Sequence, residues 1–187
     1  IRRLAEAADS FGKGRAAEAY GVLVTMVQDD PDLSLVAAHR LALGAALVGL
    51  GRHTDALDAL SVDQLVQNPE ACAWRLRAMA ALEMSAEALA QWKCAHSTIE
   101  SRTGRQRDPF LLAAAHAALA EEKFGIALDL VKPLTDADPA ANLIRGRALF
   151  RLGNEQEARL RLQRAAQNGT AEQQVDARVS LLEGLVA

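Results

Sequence analysis

The stretch LGAALVGLGRHTDAL, residues 43–57, is apolar and rich in helix-forming residues, yet it contains Gly44, Gly49 and Gly51. A glycine inside a helix costs about 1 kcal/mol relative to alanine. At the end of a helix, however, the chain commonly needs a left-handed residue, and glycine adopts that conformation freely. The stretch therefore predicts two helices joined at Gly51. Gly44 and Ala56 then provide small side chains where the two helices approach each other.

The same pattern recurs along the chain. Each occurrence combines a charged or polar turn with a conspicuous alanine, and these alanines are Ala19, Ala56, Ala88, Ala127 and Ala158. Their mean spacing of about 35 residues is close to the roughly 34-residue period of tetratricopeptide arrays. Helical patterns also end repeatedly at proline, which cannot continue a helix, in the segments 29–32, 67–70 and 136–139. We therefore expect units of helix, tight turn, helix and proline-marked loop.

These features resemble the tetratricopeptide repeat (TPR) family. The match consists of a small residue midway along the first helix, a glycine at the turn and a small residue early in the second helix. In the last full unit these are Gly146, Gly153 and Ala158. The resemblance implies an all-α fold, a right-handed superhelical solenoid of about five antiparallel hairpins with a C-terminal capping helix.

We expect a single TPR-like domain over residues 1–187. Its predicted units are 1–34, 35–69, 70–103, 108–139 and 140–169, with a capping or partial helix at 170–187.

Some positions depart from the regular pattern. The third unit has Glu83 where the turn glycine would stand, and Pro133 should kink or shorten the second helix of the fourth unit. In the last segment, Thr170 and Gln173 have capping-box spacing. An apolar stripe follows them, formed by Val175, Val179, Leu182 and Val186.

The composition argues against several classes of partner. The formal net charge of −3 gives no overall attraction to nucleic acid or to anionic membranes. No segment reaches the roughly 18 consecutive apolar residues of a spanning helix. The arginines at 102, 105 and 107 form a small basic loop, for which a solvated surface is the default interpretation and a phosphate contact the minor one.

The two cysteines, Cys72 and Cys94, are too few for a disulfide framework. Two buried thiols are the favoured interpretation. A single bridge is the alternative, because both cysteines fall in one predicted hairpin.

The sequence contains no specific catalytic or metal-binding motif. The four histidines are scattered, and no HExxH, P-loop, GxGxxG or GxSxG pattern is present. We therefore expect a non-enzymatic protein without catalytic residues, cofactor or metal.

In solenoids of this family, the first helices of successive hairpins line a concave groove. We expect this groove to be apolar toward the N-terminus and cationic toward the C-terminus, and to bind a peptide with apolar anchors and an acidic group. The predicted groove residues are Leu4, Phe11, Leu41, Val48, Leu112, His116, Leu119, Leu143, Arg147, Phe150 and Arg151.

The predicted function is a protein–protein interaction scaffold or chaperone that binds a peptide or helix of a partner. The arginine- and alanine-rich composition favours a bacterial source. The resemblance then implies a secretion, pilus or polysaccharide-export assembly, in the cytoplasm or the periplasm. Because the chain begins at Ile1 rather than methionine, the alternative is a regulatory or targeting arm of a larger enzyme such as a glycosyltransferase or peptidase. Self-association is a third hypothesis.

Overall fold

The computed structural model describes residues 14–186. Over this range the chain is all-helical, which confirms the all-α part of the prediction, and no strand is present among these residues. The ten helices are α1 (Ala16–Asp29), α2 (Ala37–Gly49), α3 (His53–Leu60), α4 (Pro69–Ala81), α5 (Ser85–Glu100), α6 (Asp108–Ala120), α7 (Phe124–Val131), α8 (Pro139–Arg151), α9 (Glu155–Asn168) and α10 (Ala171–Val186). Short 3₁₀ segments occur at Pro31–Leu35, Asp63–Leu65 and Gly104–Gln106.

The chain divides into two compact units between Arg102 and Thr103. The first unit contains α1 to α5 and the second contains α6 to α10. The division lies within one residue of the end of the predicted third unit, 70–103, but the repeat bounds themselves stay predictions. A continuous solenoid over residues 1–187 stays a prediction.

The turns between paired helices use a left-handed residue. Gly51 and Gly153 have φ values of +74° and +80°, as the sequence pattern predicts for a turn glycine. Where the glycine is missing, Glu83 and Glu122 take this conformation, with φ values of +59° and +55°. Left-handed backbone is disfavoured for residues with a Cβ, so the geometry of the hairpin outweighs the local preference of the glutamate.

The mid-helix glycines provide room for a leucine of the paired helix. A Cβ built on Gly146 would lie 2.5 Å from Cγ of Leu162. A Cβ on Gly44 would overlap Leu60 in the same way. The second unit has a core cluster of Leu143, Leu162, Ala165 and Ala177 around this contact. Close helix approach therefore explains why the opening stretch accepts Gly44.

The C-terminal segment folds partly as expected. α7 ends at Val131, two residues before Pro133. The capping box of α10 is formed: the backbone N–H of Thr170 donates to Oε1 of Gln173 at 3.0 Å, and the N–H of Gln173 donates to Oγ1 of Thr170 at 3.3 Å.

The apolar stripe of α10 does not face the core. Val175, Val179 and Leu182 are 57%, 45% and 63% exposed, whereas Ala177 and Ser180 are buried. The side chain of Val186 lies outside the part of the structure that is described.

Two predictions about polar side chains are wrong. Cys72 and Cys94 form a disulfide between α4 and α5, with Cα atoms 5.9 Å apart, so the favoured pair of free thiols is corrected. Arg102 is not a solvated loop residue, because its side chain is 15% exposed and forms an ion pair with Glu70. Glu70 also accepts hydrogen bonds from Trp74 and Thr98, so Arg102 completes a polar cluster within the first unit.

Candidate functional site

The candidate site is a cavity of about 440 Å³ in the second unit, which we call the α8 groove. It is bounded by the C-terminal ends of α6 and α8, the first residues of α7 and α9 and one face of α10. Its apolar floor consists of Leu119, Ala120, Phe124, Phe150, Val179 and Gly184. Its polar lining consists of Glu122, Arg147, Arg151, Glu155, Ser180 and Glu183.

The turn before α7 and a glycine in α10 shape the apolar floor. Because Glu122 takes a left-handed conformation, α6 ends at Ala120 and α7 begins at Phe124, which places this ring at the groove. A Cβ on Gly184 would lie 2.5 Å from Cζ of Phe150. The missing side chain therefore allows the Phe150 ring to lie against the backbone of α10.

Arg147 holds α10 beside α8. Its Nε donates to Oγ of Ser180 at 2.8 Å, and its guanidinium forms an ion pair with Asp176 at 3.6 Å. Ser180 in turn donates to the backbone carbonyl of Asp176 at 2.9 Å. Arg147 is thus a structural cation with its own counter-ion.

Arg151 lies at the rim of the groove. Its guanidinium forms an ion pair with Glu122 at 3.3 Å and lies 5.5 Å from the centre of the Phe124 ring. The side chains of Arg151 and Glu122 are 62% and 73% exposed, so this pair is screened by water and contributes little stability. Such a weak pair can open when a ligand enters.

The groove is not cationic, contrary to the sequence-based expectation. Its lining has three carboxylates, from Glu122, Glu155 and Glu183, and two guanidinium groups, from Arg147 and Arg151. Both arginines pair with carboxylates of this chain. Sequence spacing identified the cations but could not show which acidic residues approach them from neighbouring helices.

Four predicted groove residues meet in this cavity: Leu119, Arg147, Phe150 and Arg151. Leu112 and His116 also lie on α6 but do not line the cavity. Leu143 is 8% exposed and belongs to the core cluster with Leu162. Its assignment to an open groove is therefore wrong, because α9 and α10 cover it.

The predicted groove residues of the first unit do not form a comparable site. Val48 is 4% exposed, so its assignment to an open groove is wrong. Leu41 is half-buried. Leu4 and Phe11 lie outside the described residues. Helical periodicity identifies an apolar position, but it does not show whether a neighbouring helix covers that position.

Sequence reasoning missed several lining residues, namely Glu122, Phe124, Glu155, Val179 and Glu183. Two of them, Glu122 and Phe124, surround the turn that lacks a glycine. Val179 and Glu183 belong to the final helix, which was expected to be a capping helix or part of a further repeat. Two features of the sequence could have indicated this site: the turn that lacks a glycine, and the apolar and acidic residues of the final helix.

Within residues 14–186, no group of three or more histidine, cysteine or acidic side chains is arranged to hold a metal ion. None of the described helices is long and apolar enough to cross a membrane.

Comparison with protein-family models, curated proteins and solved structures gave no match to this chain.

Proposed function

We propose that this protein is a non-enzymatic interaction scaffold or chaperone that binds a segment of a partner protein in the α8 groove. The observation that supports this proposal is the partly exposed apolar floor around Phe124 and Phe150, surrounded by charged side chains. Concave apolar surfaces with a few polar groups are the usual form of binding sites. The tandem helix hairpins and their resemblance to TPR proteins support the same class of function.

The polar lining suggests which partner segment would fit. An apolar or aromatic side chain would contact Phe124, Phe150 and Val179. A neighbouring lysine or arginine would pair with the carboxylates of Glu122, Glu155 or Glu183. We therefore replace the acidic ligand expected from the sequence by a segment that combines an apolar anchor with a basic residue. The setting we propose is the bacterial export or envelope assembly implied by the resemblance.

A displayed library of random peptides tests this proposal. We expect the protein to enrich peptides that contain an aromatic or large aliphatic residue close to a lysine or arginine. Replacing the three carboxylates together (Glu122→Gln, Glu155→Gln, Glu183→Gln) should weaken the binding of an enriched peptide by up to about fivefold for each ion pair that is lost, because exposed ion pairs are each worth about 0.2–1 kcal/mol. Isothermal titration calorimetry measures the change.

A matched control removes three exposed acidic charges of the second unit that do not line the groove (Glu121→Gln, Asp129→Asn, Glu172→Gln). This variant should bind the peptide as the unchanged protein does. Enrichment of acidic peptides, or an equal loss in the control, would show that the proposed chemistry of the groove is wrong. If no peptide were enriched, the proposed function itself would be overturned.

A further inference from the structure

The disulfide of the first unit lies at the wall of a second cavity. This cavity has a volume of about 570 Å³, and Cys72, Arg75, Gln91, Lys93 and Cys94 are among its lining residues. Cys72 is 2% exposed, whereas Cys94 is partly exposed. A small molecule that enters the cavity therefore meets the Cys94 sulfur more easily than the Cys72 sulfur.

Arg75 is a buried cation beside the disulfide. Its side chain donates to the carbonyls of Leu60, Leu65 and Val66 at 2.8, 3.1 and 2.7 Å. It also donates to Oε1 of Gln91 at 3.0 Å, and Nη2 lies 3.1 Å from Sγ of Cys72. All these groups are neutral while the disulfide is intact.

A second buried arginine, Arg145, has similar backbone partners but also has a counter-ion. Arg145 donates to the carbonyls of Val131 and Leu134 at 2.6 and 2.7 Å, as Arg75 does to its own carbonyls, but it also forms an ion pair with Asp136 at 3.2 Å. Burial lowers the pKa of Arg75, with no counter-ion to oppose it. Burial also lowers the pKa of Arg145, but the charge of Asp136 opposes that shift.

An uncompensated buried charge is costly, so Arg75 would be stabilised by an anion among the groups that it contacts. Among the described residues, the group that can become anionic beside it is Cys72, whose thiolate would form when the disulfide opens. Cys72 is also the fourth residue of α4, close to the helix N-terminus, where positive dipoles and arginines lower the pKa of a thiol. The charged residues lining the cavity, Arg75 and Lys93, are both cationic.

We propose that the Cys72–Cys94 disulfide is a thiol-exchange site for a small anionic thiol, with Cys94 as the sulfur attacked and Cys72 as the leaving thiolate held by Arg75. The thiolate R–S⁻ attacks Sγ of Cys94, so that an R–S–Sγ bond forms and the Cys94–Cys72 bond breaks. The electron pair of the broken bond stays on Cys72 as its thiolate.

A second thiolate completes the reduction. It attacks the R sulfur of the mixed disulfide, which releases R–S–S–R and leaves Cys94 as a thiolate that takes a proton from water. The two thiols supply the two electrons, and the protein gains a Cys72 thiolate and a Cys94 thiol. Lys93 is exposed beside Cys94, and its charge would attract a thiol that bears carboxylates, such as glutathione, which serves as the probe.

The first experiment uses the unmodified protein. It is mixed with reduced glutathione, quenched with acid at early times and analysed by peptide mapping. We expect one glutathione on Cys94, with Cys72 free. Glutathione found on Cys72 instead, or no mixed disulfide under conditions in which glutathione reduces the disulfide of an unstructured peptide, would overturn the proposal.

The second experiment measures the leaving thiolate. In the variant Cys94→Ser, the ultraviolet absorbance of the Cys72 thiolate is followed against pH. We expect its midpoint at least about one pH unit below the ordinary cysteine value of about 8.5. A neutral thiol would instead donate to the carbonyl of Val66, 3.7 Å from Sγ, and a midpoint at or above about 8.5 would overturn the proposal.

Two further variants separate charge from structure. In the Cys94→Ser background, Arg75→Gln should move the Cys72 midpoint back toward the ordinary value. Arg145→Gln removes the matching buried arginine of the second unit and should leave the midpoint unchanged. Circular dichroism verifies that each variant is folded. The measurement on Cys94→Ser alone decides the proposal if Arg75→Gln fails to fold.

Discussion

Two helix hairpins of this protein perform the same structural task with different chemistry. The first comprises α4 and α5, and we call it the cysteine hairpin. The second comprises α8 and α9, and we call it the aspartate hairpin. Pro69 and Arg75 of the cysteine hairpin lie 70 positions before Pro139 and Arg145 of the aspartate hairpin. In both, an Asn or Asp side chain caps the first helix directly before the proline.

The hairpins differ in how the buried arginine is balanced. In the loop just before the aspartate hairpin, Asp136 forms ion pairs with Arg145, Arg161 and Arg164 of that hairpin at 3.2, 2.7 and 3.7 Å. In the cysteine hairpin a disulfide takes the place of this ionic cluster. The comparison shows that both arginines donate to backbone carbonyls in the same way, whereas only Arg145 has a carboxylate to balance its charge.

Replacing the buried arginines by methionine should have the largest effect. Arg145→Met leaves the carbonyls of Val131 and Leu134 without their donor, so we expect a loss of about 3–4 kcal/mol in the free energy of unfolding. Arg75→Met leaves similar carbonyls unpaired, but it also removes a buried charge that has no counter-ion and is therefore costly. We expect a smaller loss in the free energy of unfolding for Arg75→Met than for Arg145→Met. Urea unfolding followed by circular dichroism measures both, and Trp74 and Trp92 report on the cysteine hairpin. An equal or larger loss for Arg75→Met would contradict our interpretation of its charge.

The disulfide should be the next largest contributor. Cys72 and Cys94 are 22 positions apart, and closing a loop of that length stabilises a fold by about 3 kcal/mol in the chain-entropy model. The double variant Cys72→Ala, Cys94→Ala should therefore unfold at a correspondingly lower urea concentration. The reduced wild-type protein is the control, because it lacks the bridge but keeps both cysteine side chains. If the reduced protein were as stable as the oxidised protein, the bridge would not constrain the hairpin.

Filling a helix contact should cost about 1–2 kcal/mol. Gly146→Ala places a Cβ 2.5 Å from Leu162, and crowding of a packed core exceeds the gain in helix propensity. In the presence of Leu162→Ala the same change should cost much less, because the Leu162 side-chain atoms are gone and only the carbonyl oxygen of Ala158, 3.1 Å from the added Cβ, remains close. Thermal unfolding of the two single variants and the double variant measures the coupling. Gly125→Ala is the control, since a Cβ there meets no atom within 4 Å, and a loss at Gly125 as large as at Gly146 would exclude crowding as the cause.

Acidification should have the smallest effect. The hydrogen bond from Arg161, together with the charges of Arg161, Arg145 and Arg164, holds the pKa of Asp136 below its ordinary value of 3.8. The stability that depends on this lowered pKa is complete above the ordinary value and is lost as the pH falls through the pKa of the folded state. Wild type should therefore exceed Asp136→Asn in stability at neutral pH, and the difference should shrink in acid. The Asp136 side chain is 63% exposed, so the difference in the free energy of unfolding is small. A difference that grew in acid would contradict the prediction.

Much of the local structure could be predicted because it depends on neighbouring residues. The turn at Gly51, the end of α7 before Pro133 and the capping box of Thr170 all follow from side chains within a few positions. The α8 groove could be predicted only in part. Arg147 and Phe150 share a face of α8, but Val179 and Glu183 reach them from a helix about 30 residues further along the chain.

The sequence by itself determined the all-helical class, the hairpin pattern and the positions where a small residue must stand. It could do so because helix periodicity, capping and turn geometry are properties of short segments. Only the tertiary structure decided that Cys72 meets Cys94, that Val48 and Leu143 are covered and that Glu122 pairs with Arg151. These outcomes depend on which faces of different helices meet, and contacts between distant segments leave no signal in the spacing of a single helix.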